Sequence, residues 1–218
     1  MTGPSRASGL PDAEQAVALA RLVKPNEHWR LYPDLKSGAR FVDIETVGLA
    51  PEDAITLVGI ADECSTTVLV RRRDLTLRRL AEAFEGASVL VTFNGVAFDL
   101  PRLRRAFPGL ACWDLPHLDL ALLGRQVGLS GGLKAIERTL GLRRPQALDG
   151  VDGAEAVRLW NAHCRGDRSA LPRLMRYCRA DAETLVELAD LIYGRLRQQH
   201  PVDSAEVWLP RIERKGAG

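Results

Sequence analysis

The rhythm of apolar and polar positions changes along the chain, and each change marks an element. DAEQAVALARLV (12–23) repeats at helical spacing, with Asp12 placed to cap it. WRLYPDLKSGA has no such period and reads as a loop bringing two aromatics onto the main body. From Arg40 the pattern turns strand-like in RFVDIE, AITLVGIAD and STTVLVRR, separated by the turn segments VGLAPED and DEC. Short strands with short connections predict an antiparallel meander.

LTLRRLAEAFEG then puts Leu75, Leu77, Leu80, Ala81 and Phe84 on one helical face and stops at Gly86. The continuous apolar run ASVLVTF is what a buried parallel strand after a crossover helix requires. NGVAFDLPRLRRAF turns at Asn94-Gly95 and becomes a helix, HLDLALL reads as a strand end leading into another, and GGLKAIERTLGL is a short helix closed by Gly141. The last third is helical, in GAEAVRLWNAHC and in the long run ALPRLMRYCRADAETLVELADLIYGRLRQQ. In that run Leu174, Tyr177, Cys178, Asp181, Leu185, Leu188 and Ile192 recur at spacings of three and four, so one member of the inner stripe is an aspartate. The order β-β-β-α-β-α predicts an α/β protein with a mixed sheet, antiparallel meander plus parallel strands, flanked by helices. Residues 1–37 read as a leader with a short helix, 38–200 as the principal domain and 201–218 as a loose tail.

Composition adds modest constraints. With 46% hydrophobic and 27% charged residues the 218-residue chain is globular in character. No apolar run is long enough for a membrane span, and MTGPSRASGLPDAEQ lacks an apolar signal core, pointing to the cytoplasm. The cysteines Cys64, Cys112, Cys164 and Cys178 form no C-x-x-C pair and read as small buried apolar residues. Net charge is only +2, but of 30 basic residues only Lys24, Lys36, Lys134 and Lys215 are lysine. The arginine clusters at 71–79 and 102–105 offer planar forks suited to phosphate, although solvated helix faces would look the same.

The chemistry starts in RFVDIETVGL. Strand alternation places Asp43 and Glu45 on one face with α-carbons about 6.6 Å apart, at roughly 3.3 Å per residue. Two half-buried carboxylates on one face repel and lose hydration unless a divalent cation joins them. An exposed edge strand with solubilising charges is the commoner explanation of such a pair taken alone. Asp99 stands where a helix begins and could be a cap or first-turn acid. Asp181 shares a helix face with Tyr177 one turn earlier, which is also compatible with a core tyrosine bonded to a boundary aspartate.

These segments carry a resemblance. FVDIETVGL, LVTFNGVAFDLPRL and YCRADAETL resemble the three exonuclease blocks of the DEDD superfamily of 3'-5' exonucleases, in the tyrosine subclass whose third block reads Y-x-x-x-D. HLDLALL, LKAIERTLGL and VRLWNAHCRGD are similar to the bacterial YprB-like, ribonuclease-H-like exonuclease group, and the likeness runs from about Trp29 to Leu191. It implies a ribonuclease-H-like fold, with Asp43, Glu45, Asp99 and Asp181 holding two magnesium or manganese ions and Tyr177 positioning the attacking water. Asp43 would bridge both ions, Glu45 and Asp181 would complete the nucleophile side, and Asp99 would serve the leaving-group side. A histidine subclass would need histidine where Arg176 stands. Val47 replaces the usual second threonine of D-I-E-T-T-G-L, a change that weakens contact with the terminal nucleotide and removes no ligand.

The implied partner is a nucleic acid with a 3' end, single-stranded DNA favoured over RNA. Thr46, Gly48 and Leu49 would pack the terminal nucleotide, with Asn94, Gly95 and Phe98 in the same groove, although Phe98 suits the core better. A ribonuclease-H-like endonuclease or resolvase, and a catalytically silent nucleic-acid-binding module, are the alternatives. Nucleophilic catalysis has little support, with four histidines and no G-x-S-x-G elbow.

Overall fold

The structure is a computed structural model describing residues 13–143 and 152–201. Its strands are β1 (Ala39–Thr46), β2 (Ile55–Ala61), β3 (Thr66–Val70), β4 (Val89–Thr92) and β5 (His117–Asp119). They form one sheet in the order β3-β2-β1-β4-β5. The first three are the expected antiparallel meander, while β4 pairs parallel with β1 and β5 parallel with β4. Every residue of β2 is buried, which requires cover on both faces of the sheet.

The α-helices are α1 (Ala13–Arg21), α2 (Tyr32–Leu35), α3 (Leu77–Ala83), α4 (Asp99–Ala106), α5 (Leu120–Gln126), α6 (Leu133–Leu140), α7 (Gly153–Cys164) and α8 (Ala170–Gln199). The long α8 lies along β1, β2 and β3. Its buried stripe contains Leu174, Tyr177, Cys178, Asp181, Leu185, Leu188 and Ile192, the set picked out by periodicity. Asp181 is therefore held against the sheet by the apolar residues above and below it.

The segment 29–39, expected as a loop, instead lies largely in helical turns: a 3-10 helix over Pro25–Leu31, then α2, then a second 3-10 turn over Lys36–Gly38. Trp29, Tyr32 and Leu35 are all buried, and their spacing of three is the 3-10 period that aligns them on one side. The two aromatics do reach the main body. The Tyr32 hydroxyl donates to Asp190 Oδ1 on α8 at 3.0 Å, and Lys36 Nζ donates to Asp190 Oδ2 at 2.8 Å.

Of the cysteines expected to be buried, Cys112 and Cys178 are, whereas Cys64 and Cys164 are exposed. Both exposed ones sit where elements end, Cys64 between β2 and β3 and Cys164 as the last residue of α7. No helix among the described residues is long and apolar enough to cross a membrane. The Asp12 cap and the tail after 201 lie outside the described residues.

Candidate active site

Three elements bring the expected acids together. β4 pairs with β1 only over Ala39 to Phe41, so the later half of β1 has no strand neighbour on that side. The Ile44 N–H is taken there by Asp99 Oδ1 at 3.2 Å. Asp99 is thus the first residue of α4, but its side chain binds β1 instead of capping its own helix. That one hydrogen bond fixes the start of α4 against the strand carrying Asp43 and Glu45.

Asp43 is half-buried and Glu45 buried, so the pair is no solvated edge. Oxygens of both lie within 4.8 Å of each other and of the Cys178 sulfur on α8. Burial, above all, pushes the Cys178 thiol well above its ordinary range, and the charges of Glu45, Asp43, Asp181 and Asp99 push it further, in that order. The charges of all four carboxylates therefore reach this buried sulfur. Carboxylate oxygens dominate this group, and such oxygens suit a hard divalent cation.

Tyr177 shows the same field. Burial first, then the charges of Asp181, Glu45 and Asp43, raise its phenol far above the usual value, and its hydroxyl hydrogen-bonds the Asp181 carboxylate. It stays protonated at neutral pH and acts as a hydrogen-bonding group, not as a base. Asp99 is pushed up to about 7, chiefly by burial, with the Ile44 N–H working against the rise.

The other expected site residues flank this cluster. Thr46 is buried and its hydroxyl donates to the Gly48 carbonyl. A β-carbon on Gly48 would stand 2.5 Å from Asp53 Oδ2, the oxygen that accepts the Ala50 N–H, so the loop's own packing already demands glycine there. Leu49 is 80% exposed at the loop tip. Asn94 takes a positive φ of 62°, and a β-carbon on Gly95 would fall onto the Thr92 side chain, so this pair makes the tight turn between β4 and α4. Phe98 is half-buried, with the Arg102 guanidinium 3.7 Å from its ring centroid.

Of the arginines at 102–105 expected as candidates for phosphate contact, Arg102 is engaged within the protein. It is buried, and its guanidinium donates to the carbonyls of Phe98, Leu49 and Ala50 at 3.0, 2.8 and 3.1 Å. Arg104 donates to the Trp113 carbonyl and Arg73 pairs with Asp74. Arg71, Arg72, Arg102 and Arg105 do line one cleft of about 410 Å³, shared with Glu52 and Asp53.

Two residues without an expected role stand at the site. Asp119, at the end of β5, accepts backbone N–H groups from Asn94 (2.9 Å), Val96 (3.1 Å), Ala121 (3.0 Å) and Leu122 (3.3 Å). It caps α5 and clamps the turn leading to Asp99, and an aspartate directly before a helical run was the readable sign. Lys134, in the first turn of α6, places Nζ 4.7 Å from the Tyr177 ring centroid.

A family model described as the RNase H superfamily matches residues 40–193. No curated protein matches the sequence. Among solved structures, the family B DNA polymerase from the hyperthermophilic archaeon Pyrobaculum calidifontis aligns with a TM-score of 0.56 and 18% identity, over 71% of this chain and 24% of that one. The present chain thus spans about a quarter of that polymerase's length. The Aedes aegypti Nibbler EXO domain aligns with a TM-score of 0.51 and 16% identity, over 80% of this chain and 87% of that one. At these identities the likeness bears on the fold, which is RNase H-like.

Proposed function

The chain belongs to the RNase H superfamily, and from that premise we propose that it is a metal-dependent 3'-5' exonuclease of the DEDD type, tyrosine subclass. The observation that carries this reading is the placing of Asp43 and Glu45 together beside the buried Cys178, which also feels the charges of Asp99 and Asp181. Carboxylates gathered in this way are a costly arrangement for stability and a useful one for holding divalent cations. The EXO designation of one structural neighbour supports the same direction.

Asp43, Glu45, Asp99 and Asp181 would hold magnesium or manganese, two ions in all, with Asp43 shared between them. When bound, the ions supply Lewis-acid stabilisation at the phosphodiester and a more acidic water. The remaining chemistry belongs to the chain. Tyr177, protonated and bonded to Asp181, orients the water that forms the new oxygen–phosphorus bond. The bond from phosphorus to the 3' oxygen breaks, that oxygen takes up a proton, and a mononucleotide leaves. Asp99, with its carboxyl raised to about 7, must release its proton before it serves as a ligand. Thr46, Gly48 and Leu49, with Asn94, Gly95 and Phe98, form the groove for the terminal nucleotide, and Arg102 ties the two segments together. The domain carrying this activity is residues 38–200, and single-stranded DNA is its favoured substrate.

A degradation panel of single- and double-stranded DNA and RNA, with magnesium or manganese, tests the reading on the wild type, Asp43→Ala and Asp181→Ala. Metal-dependent loss of nucleotides by the wild type and none by either variant is expected. Equal activity in all three would refute the site.

A further inference from the structure

We propose that Lys134 is a positioning residue of this site, holding the Tyr177 ring so that its hydroxyl meets Asp181. The proposal rests on the exonuclease reading above for its consequence, though not for its geometry. Lys134 lies in the first turn of α6, one residue after Leu133 and two after the N-cap Gly132. Its Nζ is buried and stands 4.7 Å from the Tyr177 ring centroid, within the range of a cation–π contact. Lysine usually carries its ammonium out to water along a flexible stem, so a buried Nζ over an aromatic face is a selected placement.

The ring it meets is the one whose hydroxyl bonds Asp181 and which feels the charges of Asp181, Glu45 and Asp43. An ammonium on its face adds positive charge beside that negative pocket and removes freedom from the ring. Composition points the same way. Only four of the 30 basic residues are lysine, and one of them stands here.

Gly131 and Gly132 set the approach of α6. Gly131 has a φ of +105°, and a β-carbon on it would stand 3.1 Å from the Ala135 β-carbon, so the chain turns tightly just before Lys134.

Two measurements on the full chain decide the matter. With isotope-labelled lysine, the ε-methylene resonance of Lys134 is expected upfield of the other lysines because of the Tyr177 ring current. It should vanish in Lys134→Met, persist in Tyr177→Phe, and return to the position of the other lysines in Tyr177→Leu. An unshifted Lys134 resonance would overturn the placement whether or not the protein is a nuclease. In turnover, Lys134→Met should lower kcat about tenfold with KM little changed, the size expected for losing a desolvated cation–π contact that acts through a second residue. In a Tyr177→Phe background, where the hydroxyl is gone, the same substitution should cost nothing further. Multiplying losses, or a KM that rises with unchanged kcat, would show a direct contact with the strand and overturn the positioning role. A wild type that degrades no nucleic acid would instead refute the exonuclease reading, leaving the resonance to judge the contact.

Discussion

Gly59 and Cys178 are so close that a β-carbon on the glycine would stand 2.9 Å from the cysteine's carbonyl oxygen and 3.1 Å from its sulfur. Gly59 is also the partner of Asp43 in the β1–β2 ladder. The missing side chain therefore lets α8 seat against the sheet beside the first acid of the site. Gly59→Ala should push α8 outward, costing roughly 1–3 kcal/mol of stability through overpacking. Activity should fall further than stability, by about 100-fold, because Tyr177 and Asp181 move with the helix and a displacement of an ångström is enough. Thermal melts paired with turnover at a temperature where the variant is folded check both parts.

Asp119 should matter to stability through the four backbone N–H groups it holds. Asp119→Ala leaves the N–H groups of Asn94, Val96, Ala121 and Leu122 without their acceptor. A loss of about 2–4 kcal/mol is expected, from one lost helix cap plus buried donors left unpaired. Asp119→Asn keeps one acceptor oxygen and should lose about half as much. Urea denaturation gives the totals, and faster amide exchange at Asn94 and Val96 in the variant locates the damage.

Arg102 joins the β1–β2 loop to the segment before α4 through the carbonyls of Leu49, Ala50 and Phe98. Arg102→Met should release Leu49 and Phe98 from a common position, raising KM for a single strand about tenfold while kcat changes less. The carboxylates keep their places because Asp99 is held independently by the Ile44 N–H. Steady-state kinetics with short oligonucleotides separates the two constants.

Asp99 and His117 give stability two opposed dependences on pH. Asp99 rises from 3.8 to about 7, mainly through burial. Between those values the folded metal-free protein keeps a proton that the unfolded chain has released, so this contribution to stability falls as pH rises. His117 falls from 6.5 to about 4, again mainly through burial, with the charge of Asp119 resisting. Between those values the unfolded chain takes up a proton that the folded one does not, so this contribution falls as pH drops. Each unit of difference is worth about 1.4 kcal/mol, so the two largely offset one another in the wild type. Asp99→Asn should unmask a stability that climbs with pH over this window, and His117→Asn one that declines. Denaturant titrations of the metal-free proteins across the window read the two slopes.

Much of this site was legible before any coordinates. Alternation in RFVDIE puts Asp43 and Glu45 on one face, and helical periodicity in α8 puts Asp181 among leucines, because both are local consequences of backbone geometry. The order of elements along the chain, and with it a mixed sheet, followed from run lengths and connections. The segment 29–39 reads as a loop because its helical turns are too short for a 3.6 period to emerge, although Trp29, Tyr32 and Leu35 recur every three residues. Arg102 looked like one more surface arginine in RLRR, and only packing shows that it is buried under the loop. Lys134 could not be placed from sequence at all, since its meeting with Tyr177 joins residues 43 positions apart on two different helices, and no local pattern encodes such a pairing.

The most direct test of the account is the fate of a single strand labelled at its 5' end, offered with its 3' end either free or chemically blocked, in the presence of magnesium or manganese. The account predicts a ladder that shortens stepwise from the free 3' end, no product from the blocked strand, and none from either with Asp43→Asn. Internal cuts in the blocked strand by the wild type would contradict it.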